Sequence, residues 1–176
     1  MSADILKSAS ITNDEHFDLK PDADARLALA EMLGIRAIRK LGFSGMIGPD
    51  GPTDLTLEAK LGATVVQDCV VTGQPVTTRI DETVQRHYIA DMQMPDAEEA
   101  EMPEDDTAEP LPAEIRLSEV MSEALALALP PWPRADGVDP VDLTVTEPGK
   151  TPMSDEDAKP FAGLKDLKAR LEGKDD

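Results

Sequence analysis

The spacing of apolar residues changes period several times along the chain, and each change marks an element. Leu27, Ala30, Leu33, Ala37 and Leu41 step by three and four residues along one helical face, behind Pro21, Asp22 and Asp24, which suit a helix's first turn. This predicts a helix over 21–41. Leu29, Met32 and Ile35 lie at other angles, so the helix is expected to touch core on more than one side, or a partner. Gly42 ends the helical pattern, and 43–47 reads as a short strand closed by the turn-forming run Gly48-Pro49-Asp50-Gly51-Pro52. Leu55, Leu57, Ala59 and Leu61 then alternate with Thr56, Glu58 and Lys60, the signature of a half-buried strand. Gly62 suggests a bulge, and 63–71 resumes the strand. Thr72-Gly73-Gln74-Pro75 forms a tight connection, after which Val76, Ile80, Val84 and Tyr88 share a face opposite Thr77, Arg79, Asp81 and Gln85. A hairpin joining 63–71 to 76–89 follows, with residue 69 opposite about 79 or 80.

After Ile89 the pattern breaks. Residues 91–114 carry ten acids, no base and four prolines, too little apolar surface to offset the entropy of ordering, so they read as a disordered acidic linker. Leu117, Val120, Met121, Ala124 and Ala128 restore a helical stripe over 116–129, and Pro130-Pro131 stops it. Residues 133–176 read as a loose tail with a possible strand at 141–145. They end in a short helix carrying Phe161, Leu164, Leu167 and Leu171. The fold class is therefore α+β: an antiparallel meander over about 43–89, covered by the 21–41 and 116–129 helices. One domain takes 1–90 and 115–132.

Charge narrows the function. Thirty-six acids against 17 bases leave a net charge of -19, which repels nucleic acid unless cations cluster, and favours a basic partner. Five aromatic residues are too few for base-stacking platforms. One cysteine permits neither an intrachain disulfide nor a zinc site built on two thiolates, so no metal or other cofactor is expected. No stretch reaches the ~18 apolar residues of a membrane-crossing helix, and the N-terminus lacks a signal peptide's basic start and apolar core; no membrane role and a cytoplasmic location are expected.

Cys69 invites a thiol-enzyme reading, but the only histidines are His16, in a polar N-terminal segment, and His87, near the far end of the predicted hairpin. A buried small hydrophobe is the better account. Gly42, Gly45 and Gly48 follow a helix and lead into strands, the reverse of a phosphate-binding loop. Arg36, Arg39 and Lys40 suit the negative end of the predicted helix; with Arg79 and Arg86 they could instead form a small RNA-contacting patch.

Three blocks together carry a resemblance. Cys69-Val70-Val71-Thr72-Gly73-Gln74-Pro75-Val76, then Leu127-Ala128-Leu129-Pro130, then Lys159-Pro160-Phe161-Ala162-Gly163-Leu164-Lys165-Asp166-Leu167-Lys168 resemble, in this order, the YceD or DUF177 family. Its bacterial members are described as large-subunit ribosomal RNA accumulation proteins. Many members carry a second cysteine near the first; here Val71 and Thr72 stand in that neighbourhood, so the resemblance carries over no metal role suggested for cysteine-rich relatives. The resemblance marks Cys69, Thr72, Gly73, Pro75, Pro160, Phe161, Leu164 and Leu167 as family positions. It implies a non-enzymatic factor supporting the synthesis, processing or stability of 23S ribosomal RNA. With the charge, it favours binding to a basic ribosomal protein or a large-subunit assembly intermediate. The alternatives are direct 23S RNA contact through the basic cluster and a thiol-dependent enzyme using Cys69.

Overall fold

In a computed structural model of the chain, residues 4–92 and 107–138 are described. The helix α1 (Ala23–Met32) starts where the sequence places it: the Asp22 carboxylate accepts the Ala25 N–H at 2.9 Å, an N-terminal cap. It stops well short of residue 41. Gly34 takes φ 64, and the N–H groups of Gly34 and Ile35 turn back onto the carbonyls of Glu31 and Ala30 at 3.2 and 3.0 Å. These are the paired bonds of a glycine-based helix end. The helix expected over 21–41 is thus corrected: Ala37 and Leu41 fall at helical spacing but belong to a strand. Leu29 and Ala30 are the buried residues of α1, whereas Leu27, assigned inward by its spacing, is 59% exposed.

Three long strands form the meander: β3 (Ala37–Asp50), β4 (Asp54–Asp68) and β5 (Pro75–Ile89), each antiparallel to the next. Alternation sets their faces. Every second residue of β4 from Leu55 to Val65 is buried, with Phe43 and Ile47 of β3 and Ile80, Val84 and Tyr88 of β5 beside them. The opposite face of β5, from Thr77 through Gln85, is exposed. The bulge expected at Gly62 occurs on the neighbouring strand, where the register shifts between Ile38 and Lys40 and leaves Arg39 as the extra residue. Gly62 stays in the ladder between Gly42 and Asp81, and a Cβ there would meet the Arg79 guanidinium at 2.9 Å; close approach is its role.

Both edges of this sheet come from segments whose composition concealed them. β2 (Glu15–Leu19) pairs with β3, directing Phe17 onto Phe43 with ring centroids 5.3 Å apart. β6 (Ala108–Pro110) lies parallel to β5 at the other edge. β1 (Ile5–Lys7) and β7 (Glu114–Arg116) make a separate two-stranded sheet. The end of the expected linker is therefore structured. Ile115, 2% exposed, anchors it, and Ser8 ties it down: its N–H donates to the Ala113 carbonyl at 3.1 Å and its hydroxyl to the Pro112 carbonyl at 2.5 Å.

β7 runs directly into α2 (Leu117–Ala128), where Leu117, Met121, Ala124 and Leu125 are buried over β4 and β5. Asp4 caps it from a distant part of the chain, its carboxylate accepting the N–H and hydroxyl of Ser118, both at 2.9 Å. Both helices contribute to the single core on one face of the large sheet. The α+β class stands, with one parallel pairing added at its edge. The rest of the expected linker, the strand at 141–145 and the helix at the C-terminus lie outside the described residues.

Candidate functional site

Cys69 sits at the end of the long hairpin, not opposite residues 79 or 80: Asp68 faces Pro75, and Ile80 faces Ala63. Its N–H donates to the Gln74 carbonyl at 2.8 Å, and its carbonyl accepts the Gly73 N–H at 2.9 Å, closing a loop that needs the left-handed backbone of Gly73, φ 68. Pro75 opens β5, where a missing donor is tolerated. Thr72 accepts the Gln74 N–H on its hydroxyl at 3.3 Å. All four family positions in this block therefore shape one turn.

The segment after α2 closes over that turn. The Pro133 carbonyl accepts the Val70 N–H at 2.9 Å, and the Ala135 N–H donates to the Cys69 Sγ at 3.4 Å. The beginning of the expected loose tail is thus bound to the hairpin. Cys69 is only 3% exposed, and burial raises its pKa, but hydrogen-bond donors lower it more. The Thr72 hydroxyl contributes most, then the Ala135 amide, and together they bring the thiol from 9.0 down to about 7. No imidazole stands ready as its base. His87 faces Thr56, twelve ladder positions from Asp68, or about 40 Å along the strand; His16 faces Met46, which pairs with Glu58.

The five cations proposed as a patch separate into two groups. Lys40, Thr64 and Arg79 lie in one cross-strand row on the exposed face, with Arg36 and Arg39 near the start of β3. Arg36 pairs with Asp68 at 2.9 Å. Arg79 is held by Asp81, Nε to Oδ2 at 2.8 Å, which lowers the Asp81 pKa. Arg86 does not join them. It points to the core side, its side chain 14% exposed, with Nε 2.7 Å from Glu109 and a terminal nitrogen 3.5 Å from Glu123. The Nε–Glu109 approach is an ion pair without hydrogen-bond alignment. Burial, then Glu123, push the Glu109 carboxyl above its ordinary range while Arg86 opposes them, and burial beside Glu109 pushes Tyr88 up to about 12. Arg86 thus stands apart from the other four cations, paired with two carboxylates. Lys20 and Lys60, not singled out from the sequence, line a cleft of about 720 Å³ across the open face, over the Gly42–Gly62 pair.

A second cleft, of about 640 Å³, opens between α1 and the start of α2 and is lined mainly by apolar side chains. Sequence spacing missed it as a site, although Met32, off the main stripe, was its signal. Pro160, Phe161, Leu164 and Leu167 lie outside the described residues. Among the described residues, no three His, Cys, Asp or Glu side chains are grouped to hold a metal.

A family model described as "Large ribosomal RNA subunit accumulation protein YceD" matches residues 57–168, from β4 through the Cys69 turn, α2 and the segment beyond it. No curated protein and no solved structure matches the chain.

Proposed function

The chain belongs to the YceD family of large ribosomal RNA subunit accumulation proteins, and we propose that it acts as a non-enzymatic assembly factor, binding a basic ribosomal protein or an assembly intermediate of the large subunit. One observation carries the choice of a basic partner over RNA. Arg36, Arg79 and Arg86, three of the five candidate phosphate-contacting cations, are paired with the chain's own carboxylates. Phosphate would have to displace those partners before it gained anything, within the field of a protein of net charge -19. A cationic partner, by contrast, meets a surplus of carboxylates, 36 acids against 17 bases. The non-enzymatic reading is supported by the strapped Cys69 sulfur and its distance from either histidine. The cytoplasm, where ribosomes are assembled, is the compartment this reading requires; no helix among the described residues is long and apolar enough to cross a membrane.

The test compares binding of the full chain to unfractionated large-subunit proteins and to purified 23S RNA fragments over a salt series. Binding to the protein fraction is expected to survive nuclease digestion and to weaken as salt rises. It should associate more slowly when the acids between 96 and 106 are changed to amides; Glu109 is left intact because it pairs with Arg86. Tight binding to naked 23S fragments, abolished by replacing Arg36, Arg39 and Lys40 and indifferent to the acidic tract, overturns the proposal in favour of direct RNA recognition.

A further inference from the structure

We propose that the cleft between α1 and α2 is the docking groove for an amphipathic helical segment with basic flanks, carried by the basic partner; this rests on the function proposed above and names the surface that performs it. The fold leaves α1 only half used. Leu29 and Ala30 are its buried residues, whereas Ala25, Ala28 and Met32 line the cleft from an exposed position, Met32 at 78%. Across the cleft Met121, itself 3% exposed, supplies an apolar floor beside Ser118 and Ser122. Apolar surface that a helix presents to solvent along a groove, and not as scattered single residues, marks a binding face.

The shape suits a helix. Ala25 and Ala28 are three residues apart on one wall and Ser118 and Ser122 four apart on the other, so both walls are low and repeat at helical spacing. The ten residues of α1 extend about 15 Å, matching an incoming segment anchored at positions i, i+3 or i+4, and i+7. The charge of the rim selects the flanks. Asp4 and Asp18 line the cleft, Asp4 capping α2 through Ser118, and Asp22, the cap of α1, and Asp24 stand at the adjoining end of α1; the hydrogen-bonded caps keep their negative charge. Lys20 is the cation among the lining residues, and it lies 2.5 Å from Asp18. Carboxylates are in excess, which repels nucleic acid and attracts lysine or arginine beside an apolar stripe.

The probe is a fluorescent synthetic peptide of about 18 residues, roughly five helical turns, with leucines at i, i+3, i+4 and i+7 spacing and lysines elsewhere. A second peptide of the same composition has its leucines scrambled. The full chain is expected to bind the striped peptide at least about tenfold more tightly than the scrambled one, a factor that stands clear of charge alone. Ala28→Arg with Met32→Arg, both at exposed positions, should lower that affinity by a similar factor, while Leu127→Arg on the outer side of α2 leaves it unchanged. Circular dichroism checks that each variant folds. Equal affinity for the two peptides, or for the variant and the parent chain, overturns the groove. So does self-association abolished by Met32→Arg, which would assign the face to a second copy. So does tighter peptide binding after Phe161→Ser and Leu164→Ser, which would assign it to the chain's own C-terminal stripe. Capture of large-subunit proteins separates the two readings: undiminished capture by the groove variant sinks the groove alone, and striped-peptide binding without any capture sinks the proposed function alone.

Discussion

Replacing Arg86 by Met keeps the aliphatic bulk beside Leu57, its ladder partner, and removes the charge that fastens β6 to the sheet. Two opposite charges 2.7 or 3.5 Å apart attract by roughly 5–6 kcal/mol at an effective dielectric near 20. Glu109 and Glu123 are 41% and 58% exposed and water screens them, whereas Arg86 is only 14% exposed. Exposed pairs contribute roughly 0.2–1 kcal/mol, and breaking a buried one costs about 3–5 kcal/mol. This pair lies between, so Arg86→Met should lose about 2 kcal/mol at neutral pH. The loss depends on pH. Burial and Glu123 already raise the folded-state pKa of Glu109, against Arg86; without Arg86 it rises further. A carboxyl whose folded pKa is raised binds its proton more tightly in the native state, so stability falls as pH rises through the window between its unfolded and folded values. The variant widens that window, and its deficit should shrink as pH falls toward the carboxylate range. Urea unfolding of both proteins at about pH 7.5 and about pH 5 measures this. Hydrogen exchange locates it: the amides of His87 and Leu111, bonded to Thr107 and Ile89, should lose protection first. A deficit identical at the two pH values, or none, would mean that the Arg86–Glu109 pair does not hold β6 to the sheet.

Leu125→Ala, at a fully buried site on α2, should cost about 3–5 kcal/mol in chemical denaturation, whereas Leu127→Ala, at a site 77% exposed, should be nearly neutral; equal effects would mean α2 is not packed through this stripe. Gly45→Ala should destabilise strongly or prevent folding, because its Cβ would overlap the Glu58 carbonyl and Ala59 of the neighbouring strand; a near-native melting temperature would contradict that close approach. Alkylation of Cys69 in the folded protein should titrate near pH 7, and Thr72→Val should move the midpoint upward; no movement would remove Thr72 as its main donor. The sign for stability follows from the lowered pKa: the thiolate's contribution is complete above about 9 and is lost as pH falls through about 7.

The long central elements were legible because their signals are local. Alternation from Leu55 to Leu61 and from Val76 to Tyr88 sorted residues to the correct faces, and the Leu117–Met121–Ala124 stripe identified α2. Gly34 was also a local signal, since glycine commonly ends a helix, but the continued spacing of Ala37 and Leu41 masked it. Arg86 was half legible: it shares parity with Ile80, Val84 and Tyr88 and so had to face inward. Which carboxylates would meet it was not legible, because Glu109 and Glu123 reach it only through the β5–β6 pairing and the docking of α2. The same holds for β2, β6 and β7, five residues or fewer each, in segments too polar or proline-rich to announce a strand. An edge strand needs only one apolar anchor, such as Phe17 or Ile115, and takes its remaining stabilisation from a partner's backbone groups. The period of each long element and the side it buries are local properties, since side-chain geometry along a helix or strand is set by neighbours in the chain. The short edges, the paired arginines and the open cleft between the helices are not local, because each depends on which distant segments come together and which surface they leave uncovered.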